Sequence, residues 1–461
     1  MPKSARKALR VAVSGALVIL ASSAPAAAQA PAATISVHTD ERGAAVNLGL
    51  VGFNWRTGGA AVAPLRPSVV RSFAVRLSRV APAPGVFDFA AADAEVDAVE
   101  RTGATPLLVL IERPPWANQA GSCGYEAAVT AVLTHYDVDR LRRGHRPVWI
   151  ESGNEPEFPP AAHGQLPTEL AADVGAQVRA VVAVERRRAV HVVYGGPAAL
   201  FADPAVVAGF VTVARAAGRA PDFVSWHACS NAPLLGPDGP EDTSSPAAIA
   251  VWQADHGVNP AATPVLMGAG ADVVRAAVRA VTPVGEALPS LAITEWNLSS
   301  GGLDRRHDSH VGAAHALGAL VEMQRHAVDV SAFFASVDRH CTDVAHNPTR
   351  GEFCGDWGTA SAGGVRKPVW FAFDLWNRLA GQVLPMTGDD PNGGFWAMAS
   401  RSDSTVRVLL VAFSAAVPRD RTVQVALAGS VPTGEPTVRR LDASHPDGRP
   451  EALTTGLASI A

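Results

Sequence analysis

Trp149-Ile150-Glu151-Ser152-Gly153-Asn154-Glu155-Pro156-Glu157 is an apolar run that stops abruptly in an Asn-Glu-Pro tripeptide. Pro156 cannot donate to a sheet ladder and biases the residue before it toward extended backbone. The stretch therefore reads as a buried strand that finishes about where Glu155 stands. A carboxylate at the C-terminal end of a strand is where parallel α/β barrels hold their chemistry. A loop carrying one solvated glutamate fits the same residues, so the neighbouring sequence has to discriminate.

Outward from this stretch the pattern alternates between strand and helix, which implies parallel strands joined by crossover helices. On the N-terminal side, Val46 to Phe53, Val69 to Phe73 and Thr105 to Ile111 read as strands, with a helix over residues 92–100 that stops at Gly103 and another over residues 125–143. On the C-terminal side, His191 to Pro197, Asp222 to His227, Leu291 to Asn297 and Val330 to Ala335 read as strands, with helices over about 168–188 and 204–217. Eight strands in this alternation make a (β/α)8 TIM barrel over residues 46–385, with Lys367 to Leu379 as its closing helix. Beyond it, short runs such as Phe395 to Ala399, Val406 to Val411 and Thr422 to Leu427 are split by Gly, Asp, Ser and Pro. They read as an antiparallel β-sandwich over 386–461, to which residues 31–45 can add a strand.

The seventh strand repeats the design of the fourth: Thr294-Glu295-Trp296-Asn297 ends an apolar run on a carboxylate. Glu155 and Glu295 would then face one cleft. A retaining glycosidase needs two carboxyl groups about 5–5.5 Å apart, and an inverting one holds them further apart.

Asn154-Glu155-Pro156 together with Thr294-Glu295-Trp296 resembles the clan of retaining (β/α)8 glycosidases. Phe87-Asp88-Phe89, Tyr194-Gly195-Gly196-Pro197-Ala198 and Asp222-Phe223-Val224-Ser225-Trp226-His227 are most similar to glycoside hydrolase family 39. That family includes β-xylosidases, α-L-iduronidases and bacterial exopolysaccharide-cleaving enzymes, and the similarity spans roughly residues 45–385. Pro114-Pro115-Trp116-Ala117 and the run from Val70 to Phe89 are similar to the exopolysaccharide-cleaving branch. The resemblance implies Glu155 as general acid/base with a raised pKa, Glu295 as nucleophile, and Asn154 on the sugar 2-hydroxyl. It also implies Arg71 beside Glu295, favouring its ionised form, and His227 beside the nucleophile. Trp116, Trp296 and Trp357 are candidates for stacking on sugar faces. Glu151 and Glu157 read as bystanders, because the two-residue period puts Glu151 opposite Asn154 and Glu157 lies past the proline. The sequence departs from the clan at His227-Ala228-Cys229, where a tyrosine is usual in place of Cys229, and at Phe333-Phe334, where a tryptophan is usual. Two other readings are a carbohydrate-binding or cell-wall protein that kept the barrel without catalysis, and an endo-acting β-glucanase or mannanase of a neighbouring family.

The first 30 residues have the makings of a signal peptide. Lys3, Arg6, Lys7 and Arg10 precede an apolar run from Val11 to Leu20 and an Ala-rich segment over residues 24–30. The expected protein is secreted or periplasmic, without stable membrane insertion. A net charge of −4 and the lack of Lys/Arg blocks interleaved with aromatics speak against nucleic acid as a partner. A polysaccharide or oligosaccharide is the expected partner, with no cofactor and no metal. Of the four cysteines, Cys341 and Cys354 are close enough to close a disulfide loop in an exported protein. A zinc site with His340 and His346 would need ligand spacing more regular than these residues offer.

Overall fold

The computed structural model describes residues 7–11, 33–157, 166–229, 264–300, 304–339, 341, 351–413, 423–430 and 437–452. Eight parallel strands close into a barrel: β1 (Phe53–Asn54), β2 (Val69–Ser72), β3 (Thr105–Leu110), β4 (Trp149–Ser152), β5 (Val193–Ala199), β6 (Phe223–Cys229), β7 (Ser290–Asn297) and β8 (Val330–Phe333). They are hydrogen-bonded in chain order, and β8 returns to β1. The fold is a TIM barrel with an appended β region.

The helices lie where apolar and charged residues sort onto opposite faces. Ala90–Glu100, Cys123–Thr134, Thr168–Arg188, Pro204–Ala216 and Pro368–Leu379 occupy the expected segments. Val265–Val281 and His310–Arg325 complete the ring of long helices among the described residues. Local signals set their ends. The Asp203 carboxylate caps Pro204–Ala216 by accepting from the Ala205 and Val206 amides, and Arg186, Arg187 and Arg188 sit in the last turn of Thr168–Arg188, where positive charge suits the helix dipole.

Strand alternation separates two apolar layers. Val69, Leu107, Val109, Phe223, Ala292 and Val330 fill the barrel interior. Residues of opposite parity, such as Leu108, Ile150 and Val224, pack outward against the helices. Phe53, Trp296, Phe333 and Phe373 form an aromatic knot in the outer layer, with Trp296 and Phe333 edge to face at 5.0 Å. Burying each of these side chains contributes about 2–3 kcal/mol.

Two strand boundaries differ from the sequence reading. Leu48–Leu50 is a 3-10 turn, and the first strand is confined to Phe53–Asn54. The Asn47 side chain accepts from the Gly49 amide and so favours the turn over an extended backbone. The fourth strand stops at Ser152, three residues before Glu155. Gly153 has φ +76° and Glu155 φ +46°, so the chain turns through the left-handed region where extended geometry was expected. The Glu155 amide donates to Ala198 O at 2.8 Å, tying the turn to the end of β5.

Two small sheets follow the barrel, besides a two-stranded pair of Thr437–Arg439 with Pro450–Ala452. Gln382–Leu384, Phe395–Ser402 and Thr405–Ala412 form one antiparallel sheet. The other places Ala33–His38 between Val423–Ala428, to which it runs parallel, and Met386–Thr387. Ile35, Val37, Leu384, Phe395, Ala397, Val423 and Val425 are buried between the sheets, as in a sandwich. Trp396 and Met398 point the other way, into the barrel's core, and Trp396 Nε1 donates to Glu322 Oε1 at 2.8 Å. The backbone of Lys7–Val11 lies antiparallel to Val423–Ala428 at the outer edge of the second sheet. The remainder of the expected leader, 1–6 and 12–30, is outside the described residues, as are His340 and His346. Cys341 and Cys354 are joined by a disulfide, their Cα atoms 5.4 Å apart. No helix among the described residues is long and apolar enough to cross a membrane.

Candidate active site

Arg71 is the centre of the site. Val69 and Arg71 share the inward face of β2, and Trp149 and Glu151 share that of β4, so Arg71 and Glu151 meet inside the barrel below its C-terminal mouth. Both are fully buried. Arg71 Nε donates to Glu151 Oε2 at 2.5 Å and Nη1 to Glu295 Oε1 at 2.5 Å. Nη1 also reaches Asn54 Oδ1 at 3.2 Å, and Nη2 donates to Asn154 Oδ1 at 2.7 Å. One guanidinium thus fixes side chains from β1, β4, the turn after β4, and β7. Burial works against its charge, but Glu151 and Glu295 outweigh burial and hold it above the ordinary arginine range.

Glu151 is therefore a partner in the site, contrary to the bystander role read from sequence. Two-residue alternation opposes Glu151 to Asn154 only where the strand continues to Asn154. Because the backbone turns at Gly153, Asn154 comes back to the face on which Glu151 lies.

Glu155 and Glu295 face each other. One carboxylate oxygen of each and one ring nitrogen of His227 lie within 4.8 Å of one another. His227 stands opposite Glu295 in the β6–β7 register, but its hydrogen bond runs to Glu155: Nδ1 is 2.9 Å from Glu155 Oε1. The imidazole thus lies beside Glu295, where the sequence places it, and is also the hydrogen-bond partner of the expected acid/base, a contact not expected from sequence. It also changes the electrostatics. Burial pushes the Glu155 carboxyl up, but the hydrogen bond and charge of His227, with the charge of Arg71, leave it below the usual glutamate range. The sequence reading, which weighed only burial and the negative Glu295, expected the opposite sign. Glu157 is buried and accepts from the Leu200 amide at 2.9 Å; burial raises its pKa, and its role is to hold the loop after β5.

These three side chains could offer metal ligands, yet each carboxylate already has an internal cationic or hydrogen-bonding partner, which suits an acid/base pair better than a metal centre. A second acidic cluster, Asp97, Glu100 and His145, is bridged by Arg140, whose Nη2 lies 2.6 Å from Asp97 Oδ1.

The three tryptophans separate. Trp296 is fully buried, its Nε1 donating to Ser331 Oγ at 3.1 Å, so it cannot stack on a sugar; as the neighbour of Glu295 on a strand it points to the opposite side. Trp116 packs half-buried against the core and donates to Ala81 O at 2.8 Å, an anchor for the loop after β3. Trp357 is half-buried beside Phe334, ring centroids 5.4 Å apart, and its carbonyl accepts from Asn297 Nδ2 at 3.2 Å. The loop carrying it is pinned by Lys367, a fully buried cation whose Nζ donates to Asp338 Oδ1 and Asp356 O, each at 2.7 Å, and pairs with Asp308. Phe334 forms the rest of this wall, with the Arg56 guanidinium 4.7 Å from its ring centroid. Neither Arg56 nor Asn54 was singled out from the sequence, because a two-residue strand leaves no periodicity to read. Cys229 pairs through its backbone with Asn297 at the end of β6; its side chain is outside the described residues.

No family model and no curated protein sequence matches this chain. Among solved structures, a GH39 β-xylosidase from Caulobacter crescentus is 20% identical with a TM-score of 0.62, covering 91% of this chain and 94% of that one. A GH39 enzyme from Xanthomonas axonopodis pv. citri is 20% identical, with a TM-score of 0.61 over 89% and 80% of the two chains. A glucosidase from Croceicoccus marinus is also 20% identical, with a TM-score of 0.59 over 83% and 79%. The chain shares the architecture of these glycosidases, a TIM barrel with a β appendage. The fold and the site together define its class: barrels with one carboxylate just past the fourth strand and a second on the seventh, facing each other across the mouth.

Proposed function

We propose that this protein is an exported retaining glycoside hydrolase of the family 39 type, cleaving an O-glycosidic bond in a polysaccharide or oligosaccharide. One observation carries the reading: Glu155 and Glu295 approach within 4.8 Å while Arg71 holds Glu295 and His227 holds Glu155. One oxygen of each carboxylate within 4.8 Å of the other is in keeping with the short separation of about 5–5.5 Å used for double displacement, and supports it over the wider spacing of an inverting pair, about 6.5–9.5 Å.

In this mechanism Glu295 attacks the anomeric carbon and Glu155 gives its proton to the departing glycosidic oxygen. Glu155 then takes a proton from the water that releases the glycosyl group from Glu295. Asn154 presents its amide NH2 to the sugar, because its oxygen is already committed to Arg71. Hydrogen bonds to the 2-hydroxyl strengthen in the oxocarbenium-like transition state, in which that hydroxyl becomes the better donor of its own proton. Sugar filling the cleft excludes water from Glu155 and adds to the burial that raises its pKa, which favours the protonated form when it is needed.

Export follows from the charged and apolar start of the chain. Lys7–Val11 is the outer strand of its sheet, so removing a leader ending near residue 30 leaves the pairing of Ala33–His38 with Val423–Ala428 intact.

The test is release of reducing sugar from a panel of neutral and acidic polysaccharides by the wild type and by Glu295→Ala. Cleavage by the wild type alone supports the hydrolase reading. No cleavage by either protein, with unimpaired glycan binding by both, would replace it with a carbohydrate-binding role.

A further inference from the structure

Arg56 stands two residues past Asn54, where β1 reaches the barrel mouth. Its backbone is fixed on both sides: the amide donates to Ser336 Oγ at 3.0 Å, and the carbonyl accepts from Gly59 N at 2.8 Å. The guanidinium lies over the face of Phe334, which leans edge-on against Trp357. The side chain is half-buried, yet its guanidinium makes no hydrogen bond and no ion pair with any described residue. Other arginines held in the barrel behave differently. Arg113 binds Asp173 and Glu169, Arg140 binds Asp97, and Arg219 binds Asp222.

Beyond Arg71, Arg56 is a second cation within electrostatic reach of Glu295, and it has no carboxylate of its own among the described residues. Burial lowers its pKa and Arg339 adds repulsion, opposed by the charges of Glu295 and Asp356. Glu295 is already engaged by Arg71, and the side chain of Asp356 accepts from the Arg339 and Trp357 amides. A planar fork of N–H donors, stacked on one aromatic ring and open on its other edges, is suited to a two-oxygen anion.

We propose that Arg56 recognises an anionic substituent, a carboxylate or a sulfate ester, on the sugar bound beside Glu295, so that the substrate is an acidic glycan. This rests on the glycosidase reading and narrows its substrate class. Arg56 would engage the sugar from the β1 side, while Phe334 and Trp357 supply the adjoining wall and Asn154 meets the 2-hydroxyl.

The experiment compares the full-length protein on uronate-bearing and sulfated polysaccharides with the same polymers after carboxyl reduction or desulfation. Wild type and Arg56→Gln are measured for kcat/KM, and calorimetric titration with oligosaccharides from each polymer gives binding independently of turnover. The expected result is a preference for one acidic form of about 10- to 100-fold, the range for a charge-assisted hydrogen bond, and a collapse of that acidic-to-neutral ratio in Arg56→Gln. The carboxylate and sulfate arms identify which anion is meant. Glu295-dependent cleavage with equal rates on acidic and neutral polymers overturns this proposal and leaves the hydrolase reading standing. Absence of cleavage throughout defeats the hydrolase reading, and the titration then decides the role of Arg56: equal or absent binding of acidic and neutral oligosaccharides overturns it. Circular dichroism of Arg56→Gln, with Arg56→Lys as a charge-retaining control, separates a lost contact from a lost fold.

Discussion

Arg71 Nη1 sits 2.5 Å from Glu295 Oε1, while Nε of the same guanidinium sits 2.5 Å from Glu151 Oε2. Glu295, the nucleophile of the proposed mechanism, is therefore held by a cation that is itself held from below by a second, fully buried carboxylate. A lysine has one nitrogen with which to replace three, so Arg71→Lys cannot keep Glu151, Glu295 and Asn154 together. The expected outcome is a fall in kcat of about 10²–10³-fold, the range for removing a preorganised electrostatic contact, together with a lower Tm. Glu151→Gln keeps an acceptor for Nε and should lose less than Arg71→Lys. Steady-state kinetics and thermal unfolding of the two variants check the order.

Glu155→Gln removes the proton donor of the proposed mechanism while preserving shape. Cleavage of substrates with poor leaving groups should fall by about 10²–10⁴-fold, the span of general-acid catalysis, while aryl glycosides with activated leaving groups, which barely need the proton, should be affected far less in their first step. Equal losses across a leaving-group series would remove Glu155 from the acid role.

His227 sets the pH dependence through its bond to Glu155. Since the Glu155 pKa is lowered, its protonated form is lost at a lower pH than an ordinary glutamate's, and the alkaline limb of kcat/KM falls early. His227→Ala removes the larger of the two influences that lower it, leaving burial opposed by the charge of Arg71 alone, so that limb should move to higher pH. A pH–rate profile in which it stays in place or moves lower would show that His227 does not control Glu155.

The barrel's strands and both facing carboxylates were legible because each was written as an apolar run with an abrupt polar end. What escaped was whatever depended on the backbone leaving regular geometry. Glu151 was placed on the wrong side by counting a period of two through Gly153, whose positive φ ends that period. Trp296 could have been excluded by the same count, since it neighbours Glu295 on an unbroken stretch of strand and must face away from it. The place of His227 beside Glu295 is readable from strand order, but the turn that swings Glu155 into hydrogen-bond reach of it is not. Without that contact the sign of the Glu155 shift comes out reversed.

Asp137 offers a test of stability apart from catalysis. It is almost fully buried in the turn His135–Arg140, its Oδ2 has no hydrogen-bond partner, and burial, with the charge of Glu185, pushes its pKa up to about 8. The folded state therefore holds a proton that the unfolded chain gives up near pH 4, so this group makes stability decline as pH rises from about 4 to about 8. Asp137→Asn, which is neutral and nearly isosteric, should flatten that part of the Tm–pH curve and raise Tm above wild type near pH 8. A curve parallel to wild type would mean that Asp137 is not titrating in this window.

The stereochemistry of hydrolysis tests the central claim most directly. Proton NMR of the first sugar released from a cleaved substrate, recorded before mutarotation, reports the anomer formed. The proximity of Glu155 and Glu295 predicts the anomer of the parent glycoside, through a glycosyl intermediate on Glu295. Appearance of the opposite anomer first would contradict the two-carboxylate displacement assigned to this site.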